Sequence, residues 1–318
     1  MAINLLNIQP HKVSTDLTGY ITFIYGAPKT GKTTLATQMP GAVLLAFERG
    51  YNTLPGVMAQ DVTSWGEMKQ VYRELKKPEV KAVYKSIIVD TIDIAADMCQ
   101  KYICDQNGIT ALGELGFGKG WGFFKNEFSQ VFRGLTQLGY AVVFIGHDKE
   151  VLSDDGKTKI IRPALTNSTR TIITGMADII GYAHQSKDYA QSVLTIRCPD
   201  DSIECGARFK YIKNEFPMSY DNLVTELEAA IQKEAQEHGN KYLTNESQKY
   251  VESPVYDFPT LQKEFNGLVE ALMEESTDNA SKITSVIEHY LGKGKKASEI
   301  TPYQAEFLAL INEDLKNL

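Results

Sequence analysis

Gly26-Ala27-Pro28-Lys29-Thr30-Gly31-Lys32-Thr33 is a complete G-x-x-x-x-G-K-[ST] pattern. Residues of these types at this spacing bind phosphate. Glycines at 26 and 31 let the backbone curl so that several N–H groups point at one anion. Lys32 would reach the β- and γ-phosphates of ATP, and the Thr33 hydroxyl would hold Mg²⁺. Thr34 completes the expected cradle, residues 26–34. Apolar Ile21, Phe23, Ile24 and Tyr25 precede it like a buried strand, and residues 33–38 follow like a helix start. That strand–loop–helix context is the one the motif requires, and it disfavours a bare glycine turn with a solvated lysine.

Hydrolysis needs more than a phosphate cradle: a second Mg²⁺ ligand, a group that orients water, and a sensor of the γ-phosphate. Asp90 closes the apolar run SIIVD and is the expected second ligand, although a strand-end aspartate can also cap the next helix. Asp93 is expected to point into that helix. Glu48, at the end of a second apolar run in LLAFERG, could overlook the γ-phosphate and orient the attacking water. His147 ends a fourth run, VVFIGHD, where a polar tip can hydrogen-bond the γ-phosphate and pass its loss to the following loop. A solvated glutamate and a turn-bound histidine are the plainer readings of these two.

The elements that must position these residues are legible as alternating apolar runs. Strands are expected at 20–25, 42–47, 86–90 and 141–145. Helices are expected from Ser64 to about 77 before Pro78, at 92–106, and at 123–138. A glycine-rich loop, GITALGELGFGKGWG, separates the last two. Asp155-Gly156 suggests a hairpin tip. Further strands at 177–183, 192–197 and 207–212 would extend the sheet in antiparallel fashion, before a charged helix at 221–238. The fold class is therefore α/β, a mainly parallel sheet with an antiparallel extension and a small C-terminal all-α domain. Domain bounds are expected at 1–237 for the core, 238–259 for a polar linker and 260–318 for the helical domain.

The chain has 318 residues and a net charge of −7, which argues against coating nucleic acid by bulk charge and requires any such site to be a local patch. Cys99, Cys104, Cys198 and Cys205 are too few and too irregularly spaced for a disulfide scaffold or a zinc ribbon. No apolar run is long enough to span a membrane, and the first residues lack a basic region followed by an apolar core, so a cytoplasmic location is expected.

Taken together, the P-loop, Glu48, Asp90 and His147 resemble the core of RecA-type recombinases. Those proteins carry a glutamate ending the next strand, an aspartate ending a third and a polar sensor ending a fourth. His147 departs from the glutamine of RecA itself. Many AAA-type ATPases instead place a glutamate directly after the strand-end aspartate, where this chain has Thr91. The start "YG-x-x-x-x-GKT" and the strand ending in histidine further resemble a phage family of short RecA-core ATPases linked to single-strand annealing and recombination. The resemblance covers about residues 18–220.

It implies a bacterial-host cytoplasmic protein that binds single-stranded DNA under the control of ATP, assembles as a ring or filament, and works beside a single-strand-binding protein. It further implies two DNA-contacting loops. The first would use Lys119, Trp121 and Lys125, with Phe123 and Phe124 equally readable as core. The second would follow His147 and use Lys157, Lys159, Arg162 and Arg170, but Asp148, Glu150, Asp154 and Asp155 nearly balance it. Arg208 is the expected cation that completes a neighbour's active site, with Lys213 as the alternative. An ATP-driven motor or loader for a replication or nuclease partner, and a nucleotide-gated scaffold that hardly turns over, remain rivals.

Overall fold

The computed structural model describes residues 6, 8–16, 19–153, 156–186, 191–246 and 256–318. The expected turn residues Asp154 and Asp155 lie outside them. The chain divides into two compact units, Met1–Val251 and Glu252–Leu318.

The first unit opens with β1 (Val13–Ser14), β2 (Ile21–Gly26), α1 (Lys32–Ala36), β3 (Ala42–Ala46), β4 (Ala59–Asp61), α2 (Trp65–Glu74) and α3 (Pro78–Val83). Next come β5 (Ser86–Asp90), α4 (Ile92–Asn107), α5 (Lys119–Thr136), β6 (Ala141–Gly146), β7 (Asp148–Leu152), β8 (Lys159–Pro163) and α6 (Asn167–Met176). It closes with β9 (Ile179–Gln185), β10 (Ser192–Thr195), β11 (Gly206–Ala207), β12 (Glu215–Pro217), α7 (Tyr220–Glu237) and β13 (Leu243–Thr244).

The main sheet runs β12-β10-β9-β2-β6-β5-β3-β4, with β11 paired to β9. From β9 to β4 every neighbour on that path is parallel, while β10, β11 and β12 are antiparallel additions. Every residue of β2, β5 and β6 is buried. Continuous apolar strands of this kind need helices on both faces. Phe23, Val89 and Phe144 face α2, α4, α5 and α6; Ile24, Ile88 and Ile145 face α1 and α7. Successive residues thus pack on opposite faces. The result is the mixed α/β, parallel-dominated sheet of a P-loop nucleoside triphosphatase. Register sets four strand tips side by side: Tyr25 pairs with Gly146, Asp90 with Ile145, and Ala46 with Asp90.

Several elements depart from expectation. The helix expected at 123 begins at Lys119, so Lys119, Trp121 and Lys125 are helical rather than in a loop. Glycine signalled a loop here, but Gly120 serves close packing: a Cβ on it would lie 2.2 Å from the Leu112 carbonyl oxygen. Gly120→Ala is therefore expected to destabilise the protein by about 1–3 kcal/mol through overpacking against backbone, read as a lower melting temperature. An unchanged melting temperature would show that this turn is loosely held.

Helix α6 went unread because Asn-Ser-Thr-Arg-Thr has weak helix propensity. Burial of Ile172, Ile173 and Met176, and a Thr166 cap accepting from the Thr169 N–H, override it. The strand expected at 207–212 shrinks to β11, since the Arg208 N–H bonds the Asp178 carbonyl and the Arg197 guanidinium takes the Phe209 carbonyl. Within the expected linker, Leu243 and Thr244 pair with Val13 and Ser14.

The second unit holds α8 (Phe258–Glu275), α9 (Asn279–Leu291) and α10 (Ala305–Leu315) around Ile283, Leu308, Ile311 and Leu315. Among the described residues, no helix is long and apolar enough to cross a membrane.

Candidate nucleotide site

The loop between β2 and α1 turns on left-handed residues: Lys29 has φ 68° and Gly31 φ 93°. Gly26 has no room for a side chain, because a Cβ would meet the Ala183 carbonyl oxygen of β9 at 2.1 Å. Thr30 Oγ1 donates to the Ala27 carbonyl at 3.0 Å and holds the curl. Lys32 is buried, and its Nζ donates to the Gly26 and Ala27 carbonyls, each at 2.8 Å. Burial lowers its pKa, against the pull of Asp90, Asp148, Glu48 and Asp93. The ammonium is thus held on the loop's own carbonyls, with four carboxylates pulling on its charge.

Thr33 opens α1, and its Oγ1 donates to Asp90 Oδ2 at 2.7 Å. Asp90 is 2% exposed. Burial pushes its carboxyl up to about 6; Glu48 adds to this, and the Thr33 hydrogen bond, Lys32 and His147 oppose it. The Asp90 carbonyl also accepts from the Phe47 N–H at 2.7 Å and the Glu48 N–H at 3.3 Å, tying the Glu48 turn to the tip of β5. A Cβ on Gly50 would lie 3.8 Å from each of Asp90 Oδ2, Glu48 Oε1 and Thr33 Oγ1. Three oxygens thus converge beside a bare glycine. Of the three, Thr33 Oγ1 and Asp90 Oδ2, themselves hydrogen-bonded, fit Mg²⁺, a hard cation that takes one or two protein oxygens and fills its octahedron with phosphate and water. Among the described residues, no cluster of three His, Cys, Asp or Glu side chains forms an all-protein metal cage.

His147 stands beside Glu48, Nε2 to Oε1 3.9 Å. Its other ring nitrogen, Nδ1, is 2.7 Å from Asp93 Oδ2, and its backbone N–H donates to Asp93 Oδ1 at 3.3 Å. Asp93 therefore reaches across to the tip of β6 and does not simply follow its helix. An acid in the first turn of α4 was the only sequence signal for this, and it reads equally as a dipole partner for the helix. Pro28, Lys29, Lys32, Thr33, Thr34, Glu48, Asp90 and His147 line one cleft of about 430 Å³.

The remaining expected residues lie elsewhere. Lys119, Trp121 and Lys125 are exposed on the first turns of α5, beside exposed Phe117 and Phe123; Phe124 is buried. In the β7–β8 hairpin, Lys159 pairs with Glu150 at 2.8 Å. Lys157 lies near the hairpin tip. Arg162 and Arg170 both turn to Glu204 and share its one carboxylate, which offsets one of the two charges. The segment carrying Glu204 exchanges backbone hydrogen bonds with Ile161, which fastens the hairpin to the body.

Arg208 is not in the cleft. It contacts Asp178 (3.5 Å) and the Gly175 carbonyl (3.1 Å), and Asp178 accepts from the N–H of Ile21 at the start of β2, the end of the strand remote from the loop. A larger cavity of about 520 Å³ lies there, lined in part by Tyr20, Arg208 and Ile231, away from the phosphate chemistry. Lys213 pairs with Glu226 at 2.6 Å.

A family model described as an AAA domain matches residues 18–213, which takes in the loop, Glu48, Asp90, Asp93 and His147. The SPbeta prophage-derived uncharacterized protein YorG of Bacillus subtilis (strain 168) is 28% identical over 328 residues, covering 100% of this chain and 99% of the relative.

Proposed function

The chain belongs to the AAA domain family of P-loop nucleoside triphosphatases, and on that premise we propose that it hydrolyses ATP with Mg²⁺ to gate a grip on single-stranded DNA, promoting strand annealing or exchange. The observation that carries hydrolysis is the meeting of Lys32, Thr33, Glu48, Asp90 and His147 in one cleft. Lys32 would bind the β- and γ-phosphates. Thr33 and Asp90 would hold Mg²⁺, which supplies charge neutralisation at the transferring phosphoryl group. Glu48 would orient the attacking water, an assignment that leans toward the RecA-like arrangement because the acid comes from the tip of β3 and not from the residue after Asp90.

Single-strand binding is supported by the first turns of α5. Phe117 is fully exposed and Trp121 and Phe123 are about half exposed, interleaved with Lys119 and Lys125. Aromatic faces stack on bases without regard to sequence, and lysines follow the phosphates. The hairpin is the weaker DNA surface, since Arg162 and Arg170 face Glu204. Arg208, exposed and far from its own chain's loop, suits a trans role in a ring or filament. A prophage-derived relative accords with a phage recombination setting.

The test is steady-state ATP hydrolysis with and without a long unstructured single strand at low salt, with Lys32→Ala as control. Stimulation by single strands and not by duplex is expected. Trp121→Ala should weaken single-strand binding about 5- to 150-fold, the worth of one stacked base, and leave basal turnover in place. Basal turnover without stimulation would reject the DNA grip and favour a partner-triggered motor or loader.

A further inference from the structure

We propose that Asp93 is a positioning residue for hydrolysis: its carboxylate keeps the His147 ring proton on Nδ1 and aims Nε2, as a hydrogen-bond acceptor, at the water that Glu48 orients. The inference rests on the ATP-hydrolysing reading above and revises the role of His147 within it.

The argument is geometric. Asp93 engages His147 with both oxygens, Oδ2 at 2.7 Å from Nδ1 and Oδ1 at 3.3 Å from the backbone nitrogen. The two-point hold fixes both ring and tip. An ionised carboxylate only accepts, so the short contact requires a proton on Nδ1, and a ring that carries one proton has its lone pair on Nε2. Nε2 faces Glu48 Oε1 at 3.9 Å. That separation is too long for a direct hydrogen bond and short enough for one water to lie about 2.8 Å from each atom. Such a water gives one hydrogen to each acceptor and turns its lone pairs outward. Lys32, Thr33 and Asp90 line the same cleft as Glu48 and His147, the cleft in which a bound γ-phosphate would lie.

A neutral His147 held this way cannot donate to the γ-phosphate as a sensor would. It serves instead as the second acceptor of the attacking water. In the step itself, the water oxygen bonds to the γ-phosphorus, and the bond to the bridging oxygen breaks with its electron pair leaving on ADP. The proton lost by water passes to the Glu48 carboxylate. Asp93 touches none of the reacting atoms and acts through the ring alone.

Two readouts test this. The first is the ¹⁵N–¹H multiple-bond spectrum of His147 in the full chain near neutral pH, assigned by comparison with His147→Gln. The Nδ1–H tautomer is expected, moving to Nε2–H in Asp93→Asn, whose amide can donate to Nδ1. An Nε2–H tautomer or a doubly protonated ring in the unsubstituted protein overturns the proposal, whether or not any variant folds. The second is turnover. Asp93→Asn should lower kcat about 10- to 100-fold and leave the affinity for a non-hydrolysable ATP analogue within about threefold. In a His147→Gln background, where a glutamine amide needs no ring tautomer, the same substitution should cost less than about twofold. An equal loss in both backgrounds makes Asp93 a structural residue and sinks the idea. Absence of Lys32-dependent turnover would instead reject the ATPase reading, and the tautomer would still decide whether Asp93 sets the ring.

Discussion

Glu48→Gln is expected to lower ATP turnover about 10²- to 10⁴-fold, the usual worth of a positioned general base, while ATP binding stays within a few-fold. Glutamine matches the shape of glutamate and can still hydrogen-bond a water, but it takes up no proton. Glu48 lies in the phosphate cleft at the end of a turn tied by two backbone hydrogen bonds to the Asp90 carbonyl, so the substitution changes charge and little else. Binding energy comes from the loop, Lys32 and Thr33, which are untouched. Single-turnover hydrolysis and equilibrium binding of ATP, measured on the same preparation, check the split. Retained turnover would move the base away from Glu48, or mark the protein as a nucleotide-gated scaffold if the unsubstituted chain is equally slow.

Asp90→Asn should pull stability and activity in opposite directions. The Asp90 carboxyl is raised from 3.8 to about 6 because it is buried. Below about pH 4 it is neutral in both the folded and unfolded chain, and burial costs it nothing. Between about 4 and 6 the unfolded chain gives up the proton while the folded chain keeps it, so stability falls as pH rises through this window. Above about 6 the full penalty applies, at most about 3 kcal/mol at 1.36 kcal/mol per pKa unit. Asparagine removes the charge and can still accept the Thr33 hydroxyl. Without nucleotide and Mg²⁺, Asp90→Asn protein is therefore expected to melt several degrees higher at pH 7.5, and the difference should vanish near pH 4. Mg²⁺-dependent turnover should fall about 10²-fold or more, as for loss of a major electrostatic contact to the transferring group. A lower melting temperature at pH 7.5 would mean that the ionised carboxylate is better satisfied in the folded protein than its burial implies. The expected rise instead means that burial of this acid destabilises the resting protein and that the cation it would hold offsets the cost.

The P-loop was legible because its function is local: eight consecutive residues carry the turn, the lysine and the hydroxyl. Asp90, Glu48 and His147 were legible for a related reason, each ending an apolar run that reads as a buried strand. The beginning of α5 was misread because glycine carries two meanings. It can loosen a chain, or it can let backbone approach backbone, as Gly120 does at the Leu112 carbonyl. Only the packed structure distinguishes them. The sharing of Glu204 by Arg162 and Arg170 was not legible, because Glu204 lies 34 or more residues further along the chain. The contact of Asp93 with His147 was not legible, because an acid opening a helix reads as pointing into that helix.

By itself the sequence determined the phosphate-binding pattern of the loop, since that pattern needs only residue types at fixed spacing on one curl of backbone. It also determined that the sheet is mainly parallel, because fully apolar strands alternating with helical segments have few other ways to bury both faces. Tertiary structure decided which side chains stand around that loop. The order of β3, β5, β6 and β2 and their register bring four tips level, and that pairing is a long-range choice encoded in no single segment. It also decided which charges are available. An ion pair forms wherever two side chains end up within reach, and the chain brings Glu204 to Arg170, and Asp93 to His147, only once the sheet has closed.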